Sequence, residues 1–202
     1  MQSSTPNSEI TAAARSSLSG NWGKAIGAMF LYGFIMIGLT LGDSVLCSFF
    51  MPTESSFGLA QWIFSGAMMV GLAAFFISLT DGIPELSRLF DGFNRFGRSF
   101  GTYFMYGLLL LLWSLLFVIP GIIKTYSYAM TFFILADDSD VGVLGAITRS
   151  REIMNGNKMK FWLLSWRFVG WSILCMLTAG IGFLWLIPYM QTSFAEFYKD
   201  IK

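Results

Sequence analysis

The chain has 202 residues, of which 55% are hydrophobic and only 12% are charged. Roughly a quarter of the residues of a soluble domain are charged, so a soluble fold of this composition would lack the surface charge that keeps proteins dissolved. The net charge of +1 and the absence of histidine give no sign of nucleic-acid binding and exclude every mechanism that needs an imidazole base or ligand.

Six apolar stretches predict an all-α, polytopic membrane bundle, because a bilayer solvates apolar surface. A helix that crosses its hydrocarbon core, about 30 Å thick, needs about 20 residues, with a usable range of about 17–25. The predicted spans cover residues 25–46, 58–80, 103–119, 122–136, 161–179 and 181–197.

The two central stretches are separated by Pro120-Gly121. As one helix, residues 103–136 would be about 51 Å long at 1.5 Å per residue, too long for a single crossing. A Pro-Gly turn predicts a short hairpin instead. Only six crossings place all the basic segments on one side of the membrane, as the positive-inside rule requires. We therefore predict three hairpins with both termini in the cytoplasm.

A short amphipathic helix precedes each predicted hairpin. The clearest covers residues 83–100, where apolar residues recur every three or four positions. Basic helices of this kind lie in the headgroup region with the apolar face towards the membrane. The alternative is that they cover the cytoplasmic end of the bundle. Arginines predicted to bind anionic lipid headgroups are Arg88, Arg95, Arg98, Arg149 and Arg151.

The combination of short helix, span, turn and span recurs three times. Arg15 and Gly20-Asn21 resemble Arg151 and Gly156-Asn157, since glycine often follows a helix end and asparagine begins a new helix. The alternative is that any cytoplasmic loop before a span tends to end in this way. We predict one domain over residues 1–202 with internal repeats at 8–80, 82–136 and 139–200.

Several short motifs, most of them within residues 113–198, are shared with a known family. They include Ile119-Pro120-Gly121-Ile122-Ile123-Lys124, Leu184-Trp185-Leu186-Ile187-Pro188-Tyr189 and the N-terminal Gly20-Asn21-Trp22. Together they resemble a bacterial integral-membrane family of unknown function, domain-of-unknown-function family 975, over nearly the whole chain. The resemblance implies a polytopic bacterial membrane protein and transfers no catalytic residue.

Polar residues within the spans are the predicted functional positions, because a charge at mid-helix costs about 2.5–3.5 kcal/mol on insertion. Lys124 faces a cavity or extends to the outer headgroups. Arg167 and Glu196 are expected to pair near the inner leaflet, the alternatives being an arginine that extends to the headgroups and a solvated helix end. The other residues of the predicted polar cavity are Tyr126, Tyr128 and Thr131.

Two backbone features complete the predicted spans. Pro188 interrupts the sixth span and bends it, and such breaks line substrate sites in transporters but also occur without a site. The pairs Gly23/Gly27 and Gly38/Gly42 have the spacing that allows helices to pack closely.

No catalytic, cofactor-binding or metal-binding residue is predicted, since the chain has no Walker loop and no suitable carboxylate cluster. We expect a non-enzymatic protein of the bacterial cytoplasmic membrane that binds or transports a lipid or small amphiphile. Its expected partners are membrane lipids and another membrane protein or further copies of itself. The alternative is a structural, accessory or immunity-type partner of another membrane complex. A cavity lined by Lys124, Tyr128 or Arg167 would favour the first hypothesis.

Overall fold

The computed structural model describes residues 3–50, 58–116 and 118–202, and every regular element within them is a helix. The fold is therefore all-α, as predicted. The elements are α1 (Asn7–Leu18), α2 (Trp22–Phe50), α3 (Leu59–Thr80), a 3-10 helix (Leu86–Phe90), α4 (Asp91–Asn94), α5 (Phe96–Leu116), α6 (Val118–Ser127), α7 (Thr131–Asp137), α8 (Val143–Ile153), α9 (Lys158–Leu177) and α10 (Phe183–Ile201).

The long helices pack in pairs, α2 with α3, α5 with α6, and α9 with α10. In the first pair, the buried Asp43 carboxylate of α2 accepts hydrogen bonds from the backbone N–H groups of Ala60 and Gln61, at 3.0 and 3.2 Å. It thereby caps the N-terminus of α3, whose first N–H groups have no partner within the helix. The first span was predicted to end at residue 46, but α2 continues to Phe50.

The chain reverses direction between α5 and α6. The ring centroids of Tyr106 and Tyr128 are 6.4 Å apart, and the Lys124 ammonium lies 4.3 Å from the centroid of the Trp113 ring. The prediction of a turn at Pro120-Gly121 was wrong by a few residues, because both lie in the first four residues of α6. Proline fits there because the N–H groups of a first turn have no helical partner.

The segment predicted as one amphipathic helix, residues 83–100, is broken. Arg95 has non-helical backbone angles (φ −130°, ψ 57°), so the 3-10 helix and α4 are separate from α5. The broken segment lies directly on α3. A Cβ atom on Gly71 would collide with the Leu89 carbonyl oxygen, and one on Gly92 with that of Ala67. This backbone contact could not be inferred from apolar periodicity.

Each short helix packs against another hairpin. The 3-10 helix and α4 pack on α3, α8 packs on α5 and α7, and α1 packs on α10, which closes a ring of three. The apolar faces of α1 and α8 point into the protein. These two short helices therefore cover the bundle, which is the alternative that the sequence left open for them. The buried residues of the two faces are Ile10, Ala14, Leu18, Ala146 and Ile147.

A short break separates α6 from α7, and a serine from α8 occupies it. The Ser150 hydroxyl donates to the Ser127 carbonyl at 3.0 Å and accepts from the Met130 N–H at 3.2 Å. All three residues are buried, so the serine satisfies backbone groups that the interrupted helix leaves open. Tyr128 follows α6 within this break and packs against Tyr106 of α5.

Apart from Arg149, which lies within α8, the residues that form ion pairs in the described part of the chain lie at or beside helix ends. Asp81 after α3 pairs with Lys199 of α10 at 2.6 Å, and Asp200 of α10 pairs with Lys160 of α9 at 2.7 Å. The ends of α3, α7 and α10 therefore share one polar side with the beginnings of α5 and α9. The remaining pairs are Asp137–Lys202, Asp138–Arg149 and Asp140–Arg95.

Two segments within the described residues are long and apolar enough to cross a membrane, Trp22–Val45 and Ala60–Thr80, with mean hydropathies of 1.9 and 2.0. The other four predicted spans do not meet this length and hydropathy test within the described part of the chain. α6 has only 10 residues, and α9 carries Lys158, Lys160 and Arg167.

Candidate functional site

A crevice of about 560 Å³ lies between α9, α10 and the end of α1, and we call it the α9–α10 crevice. Its volume falls within the range of about 300–1,000 Å³ that is usual for ligand pockets. Leu174 and Leu186 contribute apolar lining. Its charged and aromatic lining residues are Arg15, Trp22, Arg167, Trp171, Trp185 and Tyr189.

Helical spacing explains why these residues meet. Arg167 and Trp171 are four positions apart on α9, and Trp185 and Tyr189 are four apart on α10, so each helix presents one face to the crevice. The two helices meet closely at Gly182, where a Cβ atom would lie 2.6 Å from the Cys175 sulfur. Trp171 and Trp185 are half exposed, so the crevice opens at the outside of the protein.

The α9–α10 crevice is positively charged. Arg15 and Arg167 line it, and no carboxylate does. The Arg15 guanidinium carbon lies 5.7 Å from the centroid of the Tyr189 ring, within reach of a cation–π interaction. The Tyr189 hydroxyl donates to the Thr11 carbonyl at 3.2 Å, which ties α10 to α1 beside this arginine.

The expected pair of Arg167 and Glu196 is not formed. The Glu196 carboxylate accepts a hydrogen bond from the Ser17 hydroxyl at 2.8 Å, and Glu196 lines a separate surface depression with Lys199. Arg167 lies in the α9–α10 crevice instead. Glu196 points away from the face of α10 that meets Arg167 of α9, and the rotation of a helix about its axis cannot be read from apolar spans.

Pro188 lies within α10 and is buried. It does not itself line the α9–α10 crevice, whereas its neighbours Leu186 and Tyr189 do. The Thr192 hydroxyl donates to the Pro188 carbonyl at 2.8 Å. The proline thus borders the crevice from within the helix.

A second crevice, of about 230 Å³, lies between α5, α6 and α8, and we call it the α5–α6 crevice. It brings together Lys124 and Tyr128, whose ammonium nitrogen and ring centroid are 6.0 Å apart. Arg151, at the end of α8, lines the same crevice, and no carboxylate does. Its remaining lining includes Leu109, Trp113 and Thr148.

The other two residues of the predicted polar cavity lie elsewhere. Tyr126 packs beside Phe161 of α9, with ring centroids 6.1 Å apart. Thr131 is fully buried, and its hydroxyl donates to the Tyr128 carbonyl at 2.8 Å. Neither side chain lines the α5–α6 crevice. Tyr126 is two positions from Lys124 on α6 and so lies on another face of that helix, whereas Thr131 follows the break after Ser127.

Arg98, predicted to bind lipid headgroups, binds the protein itself. Its guanidinium donates to the carbonyl oxygens of Leu135 at 2.9 Å and Val141 at 3.1 Å, where α7 ends without helical partners for its carbonyl groups. Burial, and then the charge of the neighbouring Arg95, lower the pKa of Arg98. The Arg98 guanidinium thus donates its hydrogen bonds to carbonyl groups of the protein.

The other predicted headgroup ligands differ in exposure and contacts. Arg88 is exposed, as is Arg151. Arg149 pairs with Asp138 at 3.0 Å. The pKa of Asp138 is lowered by a hydrogen bond from the Asp140 N–H and, against some opposing burial, by Arg149. Arg95 donates to the Ser139 carbonyl.

Arg15 is the crevice residue that site prediction from the sequence missed. It lies in the last turn of α1, outside every apolar span, so the cost of a charge in a bilayer does not single it out. The signal that could have found it is its equivalence to Arg151, since each precedes a glycine with positive φ, Gly20 at 81° and Gly156 at 85°.

One family model matches the chain in two overlapping segments, residues 1–127 and 115–202, which together cover its whole length. The family is described as "Protein of unknown function (DUF975)". No curated protein and no solved structure matches the chain. The match confirms the resemblance that the sequence motifs indicated.

Proposed function

We propose that this chain, which belongs to the DUF975 family, is a non-enzymatic protein of the bacterial cytoplasmic membrane that binds an anionic lipid or small amphiphile in its α9–α10 crevice. The observation that carries the proposal is the crevice itself, in which two arginines lie beside three tryptophans and no carboxylate. A ligand that suits this lining has an anionic headgroup and an apolar chain.

The apolar exterior supports the membrane location. Phe34, Leu115 and Leu177 are 82%, 78% and 79% exposed, and each such side chain loses about 1.5–3 kcal/mol when it is left in water rather than buried. A bilayer removes that loss. The ion-paired helix ends, which a bilayer core would destabilise, lie together at one polar side of the protein.

The membrane topology that we propose is three hairpins and six crossings, with both termini at the ion-paired cytoplasmic side. Beside α2 and α3, the helices α5, α9 and α10 have 21, 20 and 19 residues, about 30 Å of helix each. α6 alone would reach only about 15 Å, so the fourth crossing consists of α6 and α7 together.

Arg15 and Arg167 are the proposed headgroup ligands. Guanidinium groups bind phosphate and carboxylate oxygens through paired hydrogen bonds. The apolar chain would follow Leu174, Trp185 and Leu186 to the outside of the bundle. Because Trp171 and Trp185 are half exposed, a chain can enter sideways from the bilayer.

Native mass spectrometry of the detergent-solubilised protein tests this site. Hexadecyl phosphate, a single-chain phosphate monoester, is expected to bind more tightly than an uncharged monoacylglycerol with the same chain length. Arg167→Gln should weaken hexadecyl phosphate at least about tenfold, since a hydrogen bond to a charged group contributes about 1.5–3 kcal/mol and 1.4 kcal/mol is a factor of ten. Arg167→Lys should retain part of the binding.

Arg88→Gln is the matched control, because Arg88 is an exposed arginine that lines neither crevice. It should leave the affinity for hexadecyl phosphate unchanged. Equal affinities for the phosphate and the uncharged amphiphile, or equal losses in Arg167→Gln and Arg88→Gln, would contradict the proposal. Such a result would favour a structural or accessory role in another membrane complex.

A further inference from the structure

The two crevices have the same construction. The α9–α10 crevice lies between that hairpin and α1, the short helix that packs on it. The α5–α6 crevice lies between that hairpin and α8, the short helix that follows it in the ring of contacts. Each crevice is thus formed by one hairpin and the short helix of the next unit.

The chemical groups also correspond. An arginine from the last turn of the short helix lines each crevice, Arg15 in one and Arg151 in the other. Each crevice is lined by a tryptophan from the first helix of its hairpin, Trp171 or Trp113. Each is also lined by a tyrosine from the second half of the same hairpin. Those tyrosines are Tyr189 and Tyr128.

Each crevice has a second cation, although the two come from different helices. Arg167 belongs to α9, the first helix of its hairpin, whereas Lys124 belongs to α6, the second helix of its hairpin. Lys124 is half-buried and lies over the Trp113 ring at 4.3 Å. The ion pairs of the described residues include neither Lys124 nor Arg151.

A cation held partly away from water is stabilised by an opposite charge, and the lining of the α5–α6 crevice supplies none. We propose that this crevice is a second site for the same anionic headgroup, a phosphate or carboxylate, held by Lys124 and Arg151. This inference rests on the proposed function. At about 230 Å³, the crevice is smaller than the usual ligand pocket of about 300–1,000 Å³, so it takes the headgroup and leaves the chain on the apolar exterior.

The third position of the ring, where the 3-10 helix and α4 pack on α3, is closed. It serves as a comparison for the two crevices. Arg88 ends the 3-10 helix that packs on α3, as Arg15 and Arg151 end α1 and α8. There the backbones touch at Gly71 and Gly92, where no Cβ atom would fit. No space for a headgroup remains between those backbones.

Counting bound ligands by native mass spectrometry tests the second site, at a hexadecyl phosphate concentration that only just fills both sites of the wild-type protein. At that concentration the wild-type protein should bind two copies, whereas a site weakened at least about tenfold is mostly empty. Lys124→Met and Arg167→Gln should therefore each leave mainly one copy, and the double variant mainly none. Lys124→Arg should restore the second copy, which shows that a charge, not a fold defect, is responsible. Arg88→Gln should bind two.

The outcomes separate the two proposals. A single bound copy that Arg167→Gln removes and Lys124→Met leaves intact would overturn the second site and keep the first. Absence of any bound copy would overturn both. Inorganic phosphate, added as a competitor, distinguishes the sources of the anion. It should displace neither copy, and selective displacement of the copy that depends on Lys124 would assign that crevice to free phosphate rather than to a lipid headgroup.

Discussion

Asp200 ties the N-terminal segment to the last two long helices. Its carboxylate accepts hydrogen bonds from Lys160 at 2.7 Å, from Thr5 at 2.5 Å and from Ser3. Burial raises the pKa of Asp200, but these three hydrogen bonds outweigh it, so the pKa lies below its ordinary value. The charged form of this residue therefore stabilises the folded state.

The pH dependence of stability follows from that lowered pKa. A carboxyl group whose pKa is lower in the folded state contributes stability above its unfolded pKa, about 3.9 for aspartate. The contribution is lost as the pH falls through the lowered value. Asp200→Asn should reduce the free energy of unfolding at pH 7 and should flatten its decline below about pH 4, as measured by denaturant unfolding in detergent.

Asp140→Asn is the control for that measurement. Asp140 is 94% exposed, and its nearest basic nitrogen, on Arg95, is 3.9 Å away, so its loss should change stability little. Parallel pH profiles for the wild-type protein and Asp200→Asn would show that the Asp200 hydrogen bonds contribute nothing to folding.

Residues of the candidate sites could be predicted from the sequence only where they place a charge within a predicted membrane span. Lys124 and Arg167 stand out because each is a charge within an apolar run. Arg15 is no less prominent in its crevice, but it lies in a polar helix. The partner of Glu196 depends on the rotation of α10 about its axis, and apolar composition on all sides of a helix leaves that rotation undetermined.

At the scale of the helices, close packing occurs at glycines other than those that the sequence indicates. A Cβ atom at Gly27 or Gly38 of α2 would meet nothing within 4 Å, although both belong to small-residue pairs at the expected spacing. Gly71 and Gly92 instead permit backbone contact. Spacing identifies glycines on one face of a helix, but only the neighbouring element decides whether that face is crowded.

Gly71→Ala should destabilise the protein by at least about 3 kcal/mol, the upper part of the usual cost of overpacking. The reason is that the new Cβ atom meets the rigid backbone of Leu89 rather than a flexible side chain. Gly33→Ala is the matched control on α2, where nothing lies within 4 Å, and it should be neutral or slightly stabilising. Thermal unfolding in detergent measures both, and equal midpoints would contradict the proposed contact.

Helix boundaries could be predicted where periodicity is long and failed where tertiary contacts interrupt it. The periodicity of residues 83–100 does not reveal the break at Arg95, which accompanies the backbone contact of this segment with α3. The break between α6 and α7 depends on Ser150, which lies in α8 and fills it from outside. Neither helix break has a local signal in the sequence.

At the scale of the whole molecule, the distribution of charge along the chain predicted that alternate helix ends share one side. The ion pairs among the described residues join such ends. The ring of short helices could not be predicted, because it depends on which helix each short helix meets. That ring is also what forms both crevices, so the site residues of α1 and α8 are recognisable only in three dimensions.

In the proposed topology all three hairpins enter the membrane from one side, and cysteine labelling in intact cells tests this most directly. In a background with Cys47→Ala and Cys175→Ala, single cysteines replace Ser139 at the polar side, Ala179 at the tip of the third hairpin, and Ser55, which lies outside the described residues. A membrane-impermeant maleimide should label Ser55→Cys and Ala179→Cys in intact cells, and Ser139→Cys only after the membrane is opened. Labelling of Ser139→Cys together with either of the others in intact cells would contradict the arrangement.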